Sequence, residues 1–211
     1  MNETNMGSYI IRQEEPADYK EVENLTREAF WDIYRPGCNE HLVVHNLRAS
    51  KNFIKELDFV VLDGETIIGN IVYSKCYIIN EAGERKEAIS FGPISVLPEY
   101  QKKGIGSLMI NHTTKLAKEL GYKAVFITGN DKYYSRFGFC PASKYDVHME
   151  GIPKENVASF FMALELDEGA LADYSGLIQF DPAFEPGIEE LEQFETQFPP
   201  KVKREKRKSD L

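Results

Sequence analysis

The sequence contains little cysteine and no long hydrophobic run. Its three cysteines, Cys38, Cys76 and Cys140, are an odd number, lie far apart and form no C-x-x-C pair. This pattern argues against a disulfide framework and predicts reduced thiols. There is no stretch of about 20 apolar residues, and the first residues lack the basic and apolar regions of a secretory signal. We therefore expect a cytoplasmic protein that does not enter a membrane.

Common nucleotide and metal motifs are also missing. Gly104 and Gly106 belong neither to a Walker loop, which needs Gly-Lys-Ser/Thr, nor to a G-x-G-x-x-G fingerprint. Cys38, His41 and His45 could bring two histidines to one helix face, but no fourth ligand and no H-E-x-x-H arrangement accompany them. We expect no metal site.

Length and charge limit the organisation and the partners. The chain has 211 residues, 42% of them hydrophobic, which is enough for one domain with an appendage. The net charge is −9, but residues 201–211 hold six basic and two acidic side chains, which leaves −13 for residues 1–200. An acidic body suits a cationic amine substrate and disfavours nucleic acid. The basic end is predicted to be a solvated, disordered tail.

The centre of the chain predicts a strand followed by a helix. Residues 88–97 are apolar and β-branched and end at Pro98, which cannot donate to a sheet ladder, so they predict a buried strand. From Ile105 onward the apolar residues take a helical period that stops at Gly121. This pattern predicts an amphipathic helix with a glycine C-cap.

The turn between this strand and helix contains two lysines, Lys102 and Lys103, and two glycines, Gly104 and Gly106. A helix start carries unpaired N–H groups and a partial positive charge, and a glycine lets an anion approach the backbone. The turn is therefore interpreted as a phosphate-binding turn, with a plain strand-to-helix turn as the alternative.

The rest of the chain predicts an α+β fold without internal repeats. Asp63-Gly64-Glu65 joins two β-rich segments and is a strong hairpin signal. Residues 177–180 could add a strand, and the spacing of the apolar residues at 188–198 predicts an amphipathic helix. That helix could pack on the domain or on a second copy, so a homodimer stays open. The other predicted segments are strands at 9–12, 57–62, 66–79, 124–127, 145–149 and 159–166, and helices at 15–30 and 40–49.

Two motifs resemble those of a known family. Gln101-x-x-Gly104-x-Gly106, directly after a strand, resembles the acetyl-coenzyme A pyrophosphate motif of the GNAT superfamily of N-acetyltransferases. Residues 133–139, Y-Y-S-R-F-G-F, resemble that family's Y-x-x-x-G-F segment. The two motifs follow in the order expected for this superfamily and at a plausible spacing, and within it the chain resembles the YhbS-like predicted acetyltransferases. The resemblance covers roughly residues 8–166.

The resemblance implies a mixed, mostly antiparallel central sheet flanked by helices, in the order β-α-α-β-β-β-α-β-α-β-β, with a C-terminal extension. The expected domain organisation is a disordered N-terminus at 1–7, a GNAT N-acetyltransferase domain at 8–166, an extension at 167–200 and a basic disordered tail at 201–211.

The resemblance also implies acetyl-coenzyme A as the acyl donor. The central strand would hold the pantetheine arm through backbone groups, as an added strand would, and the turn would hold the pyrophosphate. Many family members carry an Asn where this chain has Ile127, so Asn130 on the following loop is the replacement considered. The expected binding residues are Ile94, Ser95, Val96, Gln101, Lys102, Lys103, Gly104, Ile105, Gly106, Ser107, Asn130 and Arg136.

For catalysis, the resemblance places Tyr134 where the family's thiolate proton donor often lies. A general base is harder to assign, because the spacing singles out none of Glu87, Glu99, His148 and Glu150, and a neutral amine needs no base. Glu99, at the end of the central strand, is the predicted base. Arg48 lies where the family usually shapes its acceptor pocket, so it could bind a substrate carboxylate or form an ordinary salt bridge.

The predicted function is acetyl transfer from acetyl-coenzyme A to a primary amine of a small molecule or amino acid, by direct attack in a ternary complex. Two alternatives stay open, because the acceptor pocket is built from variable loops. One is a non-catalytic acyl-coenzyme A sensor, which would keep the turn but not need Tyr134. The other is a protein or ribosome acetyltransferase, with the acidic body and basic end as docking surfaces.

Overall fold

A computed structural model of the chain describes residues 4–6, 9–208 and 210. The segment 1–7, predicted to be disordered, lies outside the described residues except for the backbone of Thr4–Met6. The helices are α1 (Tyr19–Phe30), α2 (Glu40–Ala49), α3 (Ile105–Glu119), α4 (Asp131–Tyr134) and α5 (Ile188–Glu195). The strands are β1 (Thr4–Met6), β2 (Tyr9–Gln13), β3 (Phe59–Asp63), β4 (Thr66–Ile79), β5 (Arg85–Val96), β6 (Ala124–Thr128), β7 (Cys140–Pro141), β8 (Val147–His148), β9 (Phe161–Glu165) and β10 (Gly176–Gln179).

The predicted α+β class with a mixed, mostly antiparallel sheet is confirmed. Neighbouring strands follow the order β1-β2-β3-β4-β5-β6-β9-β7, and β10 pairs with β4 and β8. β5 and β6 are parallel, as are β10 and β8. The pairs β2 and β3, β3 and β4, β6 and β9, and β7 and β9 are antiparallel. The predicted hairpin is present, since Asp63 pairs with Thr66 and Gly64 adopts a positive φ of 61°. No helix in the described part of the chain is long and apolar enough to cross a bilayer.

The chain forms two compact units, and β4, β5 and α3 each run from one into the other. The first unit comprises the described residues up to 72, residues 93–109 and the described residues from 182. Its core is formed where α1 and α2 cover β3 and β4, and burial of this apolar surface stabilises the layer. The core residues are Val22, Leu25, Val43, Val44, Leu47, Val60, Ile67 and Val72.

The second unit comprises residues 73–92 and 110–181. Its core lies around β6 and β9, whose apolar residues are buried on both strands as expected for the inside of a sheet. Phe126 and Phe161 stack with their ring centroids 6.0 Å apart. β10, the strand predicted at 177–180, joins this unit through Ile178.

The first helix begins later than predicted, at Tyr19 rather than near residue 15. Asp18 explains the difference, because its carboxylate accepts hydrogen bonds from the Glu15 N–H at 2.8 Å and from Arg12 at 2.6 Å. These bonds stabilise a turn at residues 15–18, which delays the helix by one turn.

The C-terminal segment folds back onto the first unit. α5 places Glu195 against Arg27 of α1, and residues beyond α5 follow the end of the same helix. The Trp31 indole Nε1–H donates to the Val202 carbonyl at 3.1 Å, and the Arg204 N–H lies 3.1 Å from Asp32 Oδ2. The described residues of 201–211, a segment expected to be disordered, thus make backbone and side-chain contacts. The domain boundaries stay a prediction.

Candidate active site

The turn between β5 and α3 is open to solvent and has an unusual backbone. Lys102 and Gly104 both have positive φ angles, 61° and 90°. Residues 101–104 are exposed, and a Cβ built on Gly104 would meet nothing within 4 Å. The Gln101 side chain supports the turn, because its Nε2–H donates to the Val96 carbonyl at 3.2 Å. The turn therefore presents backbone, rather than side chains, where α3 begins.

The start of α3 is held close to the sheet. Ile105 is buried, and the Leu108 N–H donates to the Gly104 carbonyl at 2.9 Å as the first helical bond. The preceding N–H groups have no acceptor within an α-helix, so they are available to an anion. Gly69 of β4 permits this close packing, since a Cβ there would lie 3.0 Å from Ile105 Cγ2. Sequence reasoning missed Gly69, because only the packing shows why it must be small.

The end of β5 alternates between two faces. Ser95 is fully buried and its hydroxyl donates to Thr26 of α1 at 3.0 Å, so its side chain is used inside the unit. Ile94 and Val96 are half-buried and point to the other face, as alternate residues of a strand must. Only backbone groups of Ser95 could therefore meet a ligand.

β5 and β6 are joined by a single pair of partners, Ile89 and Val125. Both strands continue beyond this pair within the second unit, β5 through residues 90–92 and β6 through 126–128. β6 is paired along its whole length with β9 on its other side. An extended ligand can pair with strand backbone groups that no neighbouring strand occupies.

Tyr134 lies in a group of aromatic rings at the end of α4. Its ring centroid is 5.9 Å from Phe91, 5.8 Å from Phe139 and 5.0 Å from Tyr133. The predicted Y-x-x-x-G-F segment contains Gly138, which adopts a left-handed φ of 90° and terminates the helical turn. Tyr134 is only partly buried.

Asn130 and Arg136 both take part in the local structure around Tyr134. Asn130 is the N-cap of α4, where its side-chain oxygen accepts from the Tyr133 N–H at 3.2 Å. Arg136 donates from Nε to the Tyr133 carbonyl at 3.1 Å and stacks on the Tyr133 ring. In the first unit, Lys103 lies with its Nζ 4.9 Å from the Tyr100 ring centroid.

The four candidate bases differ in their exposure and in their charged partners. Glu99 is exposed on a short 3-10 turn after β5. Glu87 pairs with Lys75 at 2.9 Å, and His148 Nε2 lies 2.9 Å from Asp146. Glu150 is exposed on a loop. Glu99 is thus accessible, and within the described part of the chain no hydrogen bond or ion pair orients its carboxylate.

Arg48 lies in a buried polar cluster that sequence reasoning missed. Its guanidinium donates to both Glu14 oxygens, at 2.6 and 3.0 Å, and to Glu23 at 2.8 Å, and it stacks on Tyr19. The side chain is 6% exposed. A substrate carboxylate could bind Arg48 only by replacing Glu14 or Glu23.

Asp58 belongs to the same cluster. It accepts from the Asn70 amide at 3.2 Å, and both residues are buried. Burial raises the pKa of Asp58 well above its ordinary value, and the neighbouring Glu14 carboxylate raises this pKa further. Asp58 is therefore expected to hold its proton to a higher pH than an exposed carboxyl group would. The separation of residues 14 and 58 along the chain offered no sequence signal.

The comparison with known proteins identifies the family. The acetyltransferase (GNAT) family model matches residues 21–139, more than half of the chain. The chain belongs to this family. It is therefore an acyltransferase of the N-acetyltransferase class.

Its relatives include YhbS of Escherichia coli K12, described as an uncharacterized N-acetyltransferase. YhbS is 28% identical over 176 residues, which cover 83% of this chain and 98% of YhbS. The crystal structure of E. coli YhbS in complex with CoA has a TM-score of 0.74 at 26% identity, with coverage of 87% of this chain and 96% of YhbS. A Brucella melitensis GNAT acetyltransferase in complex with acetyl-CoA has a TM-score of 0.66 at 26% identity, with coverage of 84% and 98%.

Proposed function

We propose that this acyltransferase moves an acetyl group from acetyl-CoA to a primary amine of a small molecule or amino acid, in a ternary complex. The turn at 101–107 carries the proposal, because it presents open backbone at a helix start. The two solved relatives at 26% identity hold CoA and acetyl-CoA, respectively. The acidic body of the chain, −13 over residues 1–200, favours a cationic amine as acceptor.

The donor would be held mainly by backbone groups. The N–H groups of Ile105, Gly106 and Ser107 would bind the pyrophosphate, and Gly104 would leave room for it. Lys102 and Lys103 would add positive charge from the exposed turn. Gln101 would keep the turn in shape through its bond to Val96, while residues 94–96 would pair with the pantetheine arm along their backbone.

The reaction would join the amine nitrogen to the acetyl carbon and break the carbon–sulfur bond. The departing thiolate would take the phenolic proton of Tyr134, which would recover a proton from solvent. The attacking nitrogen would lose one proton to Glu99 or to water. The products are then an amide and the free thiol, so atoms and charge balance.

The surroundings of Tyr134 support its role as proton donor. Tyr134 is partly buried, and its ring packs against Phe91 and Phe139, which restricts the direction of the side chain. Two of the residues predicted to bind the donor, Asn130 and Arg136, also have structural functions. Asn130 and Arg136 would reach the donor only while also supporting α4. A cytoplasmic location and a homodimer stay predictions from the sequence.

The test is calorimetric titration with acetyl-CoA, followed by thiol release against a panel of amines. We expect micromolar binding and release with one class of small amines. Tyr134→Phe should lower kcat by roughly 100-fold and leave the affinity for acetyl-CoA unchanged, as expected for a lost general acid. Tyr133→Phe is the matched control, since it removes a hydroxyl from the adjacent ring.

Each alternative function has its own outcome in this test. Absence of binding would contradict the assignment of the turn. Binding without release from any amine would favour an acyl-CoA sensor. Release only with protein or ribosomal acceptors would favour a protein acetyltransferase.

A further inference from the structure

Gly129 meets the ring of Tyr134 at a position where a side chain would not fit. A Cβ built on Gly129 would overlap Cε2 of that ring and would lie 3.1 Å from Cδ2 and 3.5 Å from Cζ. The backbone of Gly129 is not in the left-handed region, so its conformation does not require glycine. The requirement comes from the ring alone.

The Tyr134 ring has little room to move away from Gly129. Phe91 and Phe139, both buried, lie 5.9 and 5.8 Å from it between ring centroids, and 6.0 Å from each other. Tyr133 contacts it edge-on at 5.0 Å. Because protein interiors are densely packed, a shift of the ring by about 1 Å would have to displace these neighbours too.

The backbone on both sides of this contact is fixed by hydrogen bonds. The Gly129 N–H donates to the Phe160 carbonyl at 2.8 Å, which ties the residue to the end of β9. The Tyr134 N–H donates to the Asn130 carbonyl at 3.0 Å, within the turn that Asn130 caps. The distance between the backbone at 129 and the phenol ring is therefore set by the fold.

We infer that Gly129 is a positioning residue for Tyr134. Its missing side chain lets the phenol ring lie directly on the backbone, and this contact fixes where the hydroxyl points. The inference rests on the proposed function, in which that hydroxyl protonates the thiolate. A misplacement of about 1 Å at a reacting group can cost about 100-fold in rate.

The test is a double-mutant cycle of Gly129→Ala with Tyr134→Phe, measured as kcat and KM for acetyl-CoA. We expect Gly129→Ala to lower kcat roughly 10- to 100-fold while KM changes less than about threefold. In the Tyr134→Phe background the same alanine should change kcat less than about threefold, because no hydroxyl is left to misplace. Phenylalanine keeps the ring atoms that the new methyl group meets, so a merely structural effect would be equal in both backgrounds.

Thermal unfolding separates the contact from its catalytic effect. Any loss of stability in Gly129→Ala should be recovered in a Tyr134→Leu background, where the ring is absent. Gly187→Ala is the matched control, since a Cβ there meets only the Glu190 Cβ, at 4.0 Å.

Four results would overturn the inference. They are an unchanged kcat in Gly129→Ala, an equal fall in the Tyr134→Phe background, a loss of folding that Tyr134→Leu does not recover, and a wild-type kcat in Tyr134→Phe itself. The last result would also overturn the proposed proton donor, whereas the first three leave Tyr134 in that role. The two failures are thus distinguishable.

Discussion

Arg27 of α1 and Glu195 of α5 are 168 residues apart in the chain and form an ion pair, with Nη2 2.9 Å from Oε2. The Arg27 side chain is 3% exposed and that of Glu195 is 17% exposed. Arg27 also stacks on Trp31, with its guanidinium carbon 4.3 Å from the ring centroid, and donates to the Pro199 carbonyl. The pair therefore attaches the C-terminal segment to the first helix.

Removing one partner of this pair should destabilise the protein more than removing both. Glu195→Gln leaves the buried Arg27 charge with only the more exposed Glu28 carboxylate, 4.0 Å away, and we expect a loss of roughly 3 kcal/mol in the free energy of unfolding. The double variant Arg27→Met/Glu195→Gln should lose less. Denaturant unfolding measures each value. Lys115→Met is the control, because it removes an exposed pair on α3 and should cost less than about 0.5 kcal/mol. An equal loss of stability in Glu195→Gln and Lys115→Met would contradict the expectation that Arg27 is a buried charge that needs Glu195.

His41, which lies beside the same pair, predicts a pH dependence. Burial lowers the pKa of His41 from its ordinary 6.5 to about 4, with Arg27 adding to the shift and Glu195 opposing it. At His41 the unfolded chain therefore binds more protons than the folded one between pH 4 and 6.5. The stability contributed by His41 should fall as the pH drops through this range and become constant below about 4, a total change of about 3 kcal/mol.

Unfolding of His41→Gln across pH 4–7 tests this expectation. The variant should lose the part of the pH dependence between 4 and 6.5. His45→Gln is the matched control, since His45 is on the same helix but its side chain is 53% exposed. A His41→Gln profile that parallels the wild type would show that another group titrates.

Local patterns in the sequence predicted the elements that depend on local chemistry. The helix predicted from Ile105 begins there, and Gly121 ends it with a φ of 88°. The hairpin at Gly64 follows from its turn residues in the same way. Both features are decided within a few residues, which is the range that periodicity and turn chemistry cover.

The contacts that join distant parts of the chain had no such signal. The pattern at 188–198 predicted a helix but not its contact with Arg27. Arg48 was placed correctly at the end of α2, yet its ion pairs with Glu14 and Glu23 depend on tertiary packing. Gly129 carries no motif, because its role depends on a ring five residues later that the fold turns back onto it.

The buried carboxyl pair of Glu14 and Asp58 predicts a pH dependence of opposite sign. Because the folded-state pKa of Asp58 is raised, this side chain binds more protons in the folded than in the unfolded chain above the ordinary value of 3.8. The stability contributed by this group is fully present below that value and is lost as the pH rises through the folded pKa. Comparing Asp58→Asn and His41→Gln with the wild type separates the pH dependence of Asp58 from that of His41.

Asp58→Asn isolates the Asp58 contribution. The amide resembles the protonated acid, so the variant should lose this pH dependence and be at least as stable as the wild type at pH 7. Its oxygen can still accept from Asn70. Glu14→Gln should instead destabilise, because it removes the charge that Arg48 faces. The exposed Asp173→Asn serves as control, and a destabilised Asp58→Asn would contradict a protonated Asp58.

The turn before α3 predicts a change in donor binding without a change in side-chain contacts. Gly104 and Gly64 both have positive φ, 90° and 61°, and a Cβ on either would meet nothing within 4 Å. Alanine at each position should therefore cost about 1 kcal/mol of backbone strain and little else. Only Gly104→Ala should also raise KM for acetyl-CoA several-fold, since a methyl group there would project from the turn proposed to hold the pyrophosphate. Unfolding measures the backbone strain in each variant, and steady-state kinetics measure KM for acetyl-CoA. An equal rise in KM in Gly64→Ala would indicate a general effect of destabilisation, whereas an unchanged KM in Gly104→Ala would show that the donor does not approach this glycine.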